Sequence, residues 1–83
     1  MRVKLLFFAT LRDRAGVKSV EIEIPDNATV RGLKDQVAHR YPGLDQSMKT
    51  ALVSINHEFA LDDVLIPVDA EIAMFPPVSG GDG

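Results

Sequence analysis

One stretch of this chain carries its apolar residues at the spacing of a long helix. After Thr29, which can cap a helix, Val30, Leu33, Val37 and Tyr41 recur along one side. Gly32 weakens that helix from within, and Pro42-Gly43 stops it. Elsewhere the apolar residues alternate at period two or fall in irregular segments. A lone helix cannot bury its own stripe, so the rest of the chain must supply a sheet beneath it.

The strands are read from parity. Arg2 to Leu11 forms an apolar, β-rich run, with Val3, Leu5, Phe7 and Ala9 on one face and Lys4, Leu6, Phe8 and Thr10 on the other. Arg12 to Lys18, with Gly16 among charged residues, connects it to Ser19 to Ile24, where Val20, Ile22 and Ile24 alternate with Glu21 and Glu23. These two strands form a hairpin, and Pro25-Asp26-Asn27 closes the second. Leu44 to Thr50 fits a short helical turn or a loop. Ala51 to Ile55 is strand-like, with Ala51, Val53 and Ile55 on one side and Leu52 and Ser54 on the other. Asn56-His57-Glu58 is a turn, and Phe59 to Asp69 is irregular with room for one short edge strand. Glu71 to Phe75 is the last strand, with Ile72 and Met74 inward and Ala73 and Phe75 outward. The fold class is therefore α+β: a mixed sheet with one main helix packed on one face, a roll of the β-grasp kind. Residues 1–76 make the domain and 77–83 a C-terminal tail.

Composition removes several classes of chemistry. At 83 residues the chain makes one domain, near the lower end of what buries a stable core without staples. Cysteine is absent, which excludes disulfides, thiolate metal sites, iron-sulfur clusters and cysteine nucleophiles. The net charge of −3 and the lack of any dense Lys/Arg block argue against nucleic acid. The N-terminal apolar run is too short to span a bilayer and lacks a small-residue cleavage site, so it reads as strand and the protein as cytoplasmic, with no membrane partner. No glycine-rich phosphate loop precedes the helix, and no serine sits in a nucleophile elbow. His39 and His57 read as solvated surface residues, and Asp62-Asp63 as a solvated loop without further ligands. An enzyme with its own active site is therefore the least supported class.

The tail has a use that the fold does not. Pro76-Pro77 favours extended polyproline geometry and cannot continue a ladder, so the chain leaves the domain as a short stiff stalk. Beyond it, Val78 and Ser79 lead to Gly80 and Gly81, whose lack of Cβ lets a partner close around the backbone from both sides. A glycine carboxylate held there suits acyl chemistry. Attack on the α-phosphate of ATP turns it into an acyl adenylate, which a sulfur or nitrogen nucleophile can open. A partner would supply the catalysis, and the chain itself needs no bound cofactor. The alternative is a small, polar chain end without function.

The sequence resembles the small subunits of molybdopterin synthase, a family of ubiquitin-like sulfur carriers, over nearly its whole length. The resemblance is carried by LLFFATLRDRAG, ATVRGLKDQVAHRYPGL, ALVSINHEF and AEIAMFPPVSGG, the last being the most specific. It implies that the Gly81 carboxylate is adenylated by an activating enzyme of the ubiquitin-activating type at the expense of ATP. A sulfurtransferase then supplies the sulfur of a thiocarboxylate, and the tail enters a pocket of the large synthase subunit within a heterotetramer. There sulfur passes to a cyclic pyranopterin precursor during molybdenum cofactor biosynthesis, in two donations for two sulfurs. The transferase active site would lie in the large subunit, with Gly80 accompanying Gly81 in the channel. The docking surface would comprise Phe8, Phe59 and Phe75, the stalk Pro76, Pro77, Val78 and Ser79, and Arg12 at the rim. Parity had placed Phe8 and Phe75 outward independently.

Two places depart from the family pattern. Asp69-Ala70 stands where Gly-Asp is common before the last strand, and Asp tolerates the left-handed turn required there. Asp82 and Gly83 follow the second glycine, which leaves the Gly81 carbonyl an amide that cannot be adenylated. Trimming by a peptidase, a longer fusion, or use of Gly83 itself would each account for this. The last would bring the Asp82 carboxylate close to the ATP phosphates, where like charges repel by several kcal/mol, and is disfavoured. Two other functions fit the same chain: a β-grasp carrier feeding thiamin or RNA thiolation, against which the Pro-Pro-Val stretch argues, and a β-grasp binding module whose tail is never activated.

Overall fold

In the computed structural model of the protein, which describes residues 1–77, the first strand is shorter than parity suggests. β1 spans Arg2–Phe7 and is followed by helix α1, Ala9–Ala15, which replaces the expected strand continuation to Leu11. Phe8 still donates its N–H to the Met74 carbonyl, but Ala9 then takes φ +54° and turns the chain out of the sheet. Ala9, expected on the inward face, and Thr10 are exposed. Leu11 is buried as the expected strand would also have required, so parity alone could not separate the two outcomes. Gly16 ends α1 in the left-handed region at φ +81°, its N–H returning to the Arg12 carbonyl.

β2, Ser19–Glu23, pairs antiparallel with β1, so the hairpin exists with a helix in its connection. The main helix, α2, spans Val30–Arg40. Its cap forms as predicted, Thr29 Oγ1 accepting the Gly32 N–H at 3.2 Å. A 3-10 turn over Pro42–Leu44 and the short helix α3, Asp45–Met48, fill the ambiguous segment, where Leu44 and Met48 are buried. β3, Leu52–Ile55, turns through Asn56 and His57 into β4, Glu58–Ala60, the anticipated edge strand, and β5 is Glu71–Phe75.

The sheet order is β2-β1-β5-β3-β4, with β1 and β5 parallel at the centre and the other pairs antiparallel. One face carries Val3, Leu5, Phe7, Ile22, Val53, Ile55, Ile72 and Met74 against Val30, Leu33 and Val37 of α2, all buried. This is the β-grasp, ubiquitin-like arrangement that the element order implies. Phe7 closes the core edge-on to Tyr41, with ring centroids 5.7 Å apart. Among the described residues, no helix is long and apolar enough to cross a membrane.

Three turns carry left-handed backbone at residues other than glycine. Asn56 and His57, at φ +49° and +75°, have the signs of a mirror-image hairpin turn. Asn56 also ties the turn to β5, since its Oδ1 accepts the Glu71 N–H and its own N–H donates to the Glu71 carbonyl, both at 2.9 Å. Asp69 takes φ +58°, as the sequence anticipated at that position. The strain at His57 is removable: His57→Gly is expected to raise the unfolding free energy by about 0.5 kcal/mol in urea titration. Gly16→Ala should lower it by about 1 kcal/mol, wholly from backbone strain, because no atom within 4 Å would meet the new methyl.

Candidate functional site

The sheet face opposite α2 brings together aromatic residues from both halves of the sequence. Parallel pairing of β1 with β5 sets Phe7 beside Met74, and so Phe8 beside Phe75. Their rings stack at 4.7 Å with 12° between planes. Phe59 on β4 approaches Phe75 edge-on, at 6.1 Å and 61°. The register then explains the floor of this face. Leu6, Ala73, Ser54 and Phe59 lie in one row across the sheet, and Phe75 faces Leu52 in the next. Ala73 therefore points outward as parity predicts, yet it and Ser54 are buried, because small side chains between large ones are shielded from water.

Large apolar side chains nonetheless remain in contact with solvent, Phe59 at 75% and Phe8 at 40% exposure. Ring contacts of this geometry contribute roughly 0.5–1.5 kcal/mol each, far less than covering the patch with another protein would. Leu6 and Leu52 extend the patch and were not singled out in the sequence, although parity had put both on this face. Pro76 and Pro77 follow Phe75 directly, so the stalk rises from the edge of the aromatic face. Arg12 sits one helical turn after Phe8, exposed, and its guanidinium lies 4.0 Å from the Asp13 carboxylate. The residues proposed for the acyl end and its approach, Val78, Ser79, Gly80 and Gly81, together with Asp82 and Gly83, lie outside the described residues.

One expectation about charge is corrected. Asp62 is not simply solvated: its carboxylate holds Lys34 Nζ at 2.9 Å and faces Arg31 at 3.6 Å, and its carbonyl accepts the Arg31 N–H. The Lys34 side chain is only 11% exposed, its stem lying along the core as long cations often do. The pair pins the 61–66 segment to the start of α2, alongside bonds from Val30 to Val64 and from Ile66 to Ala28. Asp63 is exposed. His57 lies 3.6 Å from the Glu71 carboxylate, and the described residues hold no group of three metal-ligating side chains.

A β-grasp domain with an aromatic face at the root of a C-terminal stalk defines a ubiquitin-like class of protein. Within that class the chain belongs to the ThiS family, whose model matches residues 5–81 and so ends at Gly81. The "Molybdopterin synthase sulfur carrier subunit" of Chlamydomonas reinhardtii is 36% identical over 83 residues, covering 98% of this chain and 100% of that one. The protein of the same name in Homo sapiens is 34% identical over 84 residues, covering 96% and 94%. Among solved structures, SAMP1 from Haloferax volcanii superposes with a TM-score of 0.84 at 28% identity, covering 98% of this chain and all of that one.

The ion pair and the patch separate structural from surface roles. Asp62→Asn, which leaves Lys34 nearly buried without its charge partner, is expected to cost about 1–2 kcal/mol in chemical denaturation, and Asp63→Asn less than about 0.5. Phe59→Ser should also stay within about 0.5 kcal/mol of the parent, because its ring is mostly in water already.

Proposed function

We propose that this protein is the sulfur carrier subunit of a molybdopterin synthase, bearing sulfur as a thiocarboxylate on Gly81. The observation that carries the reading is the Phe8–Phe75 stack at the root of the Pro76-Pro77 stalk, in a chain whose family match ends at Gly81. The aromatic face gives a partner an apolar anchor, and the stalk fixes the direction in which the end departs. Relatives named as molybdopterin synthase sulfur carrier subunits, matched over almost their full lengths, support the same assignment.

The chemistry follows from the end group. A free Gly81 carboxylate attacks the α-phosphate of ATP on an adenylyltransferase, releasing pyrophosphate and leaving an acyl adenylate. A sulfurtransferase persulfide displaces AMP to give an acyl disulfide, which a second thiol cleaves to the Gly81 thiocarboxylate and a disulfide. In the large subunit the thiocarboxylate sulfur displaces an oxygen leaving group from a carbon of the pyranopterin precursor, and water cleaves the acyl–sulfur bond, returning the Gly81 carboxylate and leaving the sulfur on the pterin. Phe8, Phe59 and Phe75 dock in both encounters, with Arg12 at the rim and Pro76, Pro77, Val78, Ser79 and Gly80 lining the approach. While Asp82 and Gly83 remain attached, the carbonyl of Gly81 is an amide, so a peptidase must act before loading.

One further observation favours a second reading. Haloferax volcanii SAMP1 belongs to proteins named small archaeal modifier proteins, and an acyl adenylate can be opened by an amine as well as by sulfur. Incubation with an adenylyltransferase, ATP and a sulfur source, followed by intact mass spectrometry, tests the end chemistry. The chain ending at Gly81 is expected to show the oxygen-to-sulfur mass change, and the 83-residue chain none without a peptidase. Absence of that change from both chains would overturn the carrier reading, and transfer to protein amines in place of the pterin precursor would favour the modifier. Phe59→Ser is expected to weaken large-subunit binding at least about ten-fold, the loss of one buried aromatic anchor, with stability unchanged.

A further inference from the structure

The two edges of the sheet are guarded unequally. On β2, Glu21 and Glu23 stand exposed and pair with Arg2 across the strand, and charge of this kind discourages addition of another strand. β4 carries one exposed charge, Glu58, and among the described residues that charge has no ion-pair partner. Apart from its β3 ladder, no backbone hydrogen bond among the described residues reaches Glu58, Phe59 or Ala60. The two-residue turn makes Ile55 and Glu58 the pair that exchanges both bonds, so Ser54 and Phe59 form the non-bonded pair. The N–H and C=O of Phe59 therefore point away from β3, to the outside of the sheet.

Beside this edge lies a groove of about 740 Å³, walled by β4 on one side and by Val64, Leu65 and Ile66 on the other. Exposed apolar residues continue along it, Leu61 at 78% and Leu65 at 64%. The charged side chain among its lining residues is Glu58. No lysine or arginine follows Lys49, whereas Glu58, Asp62, Asp63, Asp69 and Glu71 all do. Asp62 is occupied by Lys34 and Arg31, but among the described residues no ion pair reaches Glu58, on the groove wall, or Asp63, on the segment behind it.

We propose that β4 accepts an extended segment of a partner protein, added as a further strand, whose groove-side positions carry apolar residues with a lysine or arginine at either end. Phe59 supplies the main-chain bonds, the groove takes the apolar side chains, and Glu58 and Asp63 select the cations. This edge meets the aromatic face at Phe59, whose ring approaches Phe75, but strand addition uses the Phe59 backbone and does not depend on the sulfur-carrier reading.

The test uses the 83-residue chain labelled with nitrogen-15 and a capped nine-residue peptide, Lys-Thr-Val-Thr-Val-Thr-Val-Thr-Lys, whose valines and lysines share one face, with a twin carrying glutamate for both lysines. Saturable shifts are expected at the amides of Phe59, Leu61, Val64 and Leu65, with slowed exchange of the Phe59 N–H, and at least ten-fold weaker binding of the glutamate peptide. Replacing Glu58→Lys and Asp63→Lys together should reverse that preference, while the unperturbed amides elsewhere report an intact fold. No shifts, equal shifts from both peptides, or shifts confined to Phe8 and Phe75 would overturn the proposal. So would the same amides shifting on dilution of the protein alone, since the occupant would then be a second copy of the chain.

Discussion

Parallel pairing of the first and last strands is the contact on which the rest of the molecule depends. It places β1 and β5 side by side at the centre of the sheet, the least solvated position available, and sets one register for both faces. On the inner face that register interleaves Leu5 and Phe7 with Ile72 and Met74 under α2. On the outer face it stacks Phe8 on Phe75. Because side-chain direction alternates along a strand, a slip by one residue would exchange the two sets and lose core and aromatic face together.

This coupling explains how so small a domain keeps solvent-facing aromatics without losing its fold. The buried set is completed by residues from outside the sheet: Leu11 from α1, Leu44 and Met48 from the segment after α2, and Ile66 from the loop pinned by Lys34 and Asp62. The core lies on the helix side, and the opposite face leaves aromatic rings in contact with solvent. Pro76 and Pro77 begin where the last ladder residue ends, so they and the aromatic face share one origin.

Much of this could be read before any coordinates. The stripe of α2, the Thr29 cap, the inward parity of β1 and β5, and the left-handed position at Asp69 each follow from a few neighbouring residues. The reading failed where local signals were degenerate. Leu11 satisfies an inward strand position and the buried side of a helix equally well, and only the positive φ at Ala9 separates them. Asp62 and Asp63 look alike in sequence, and their difference comes from Lys34 on a separate element.

What the sequence determined by itself was therefore everything of short range: which residues share a face, where the main helix starts and stops, which chemistries are impossible without cysteine, and that the chain carries two prolines and then two adjacent glycines after its last strand. What only the tertiary structure decided was adjacency: that the ends of the domain meet in one sheet, that three distant phenylalanines touch, and that the outward backbone of Phe59 borders an acidic, apolar groove. The physical reason is that side-chain direction is set by the local backbone period, whereas strand order is set by the competition of all apolar surfaces for one core.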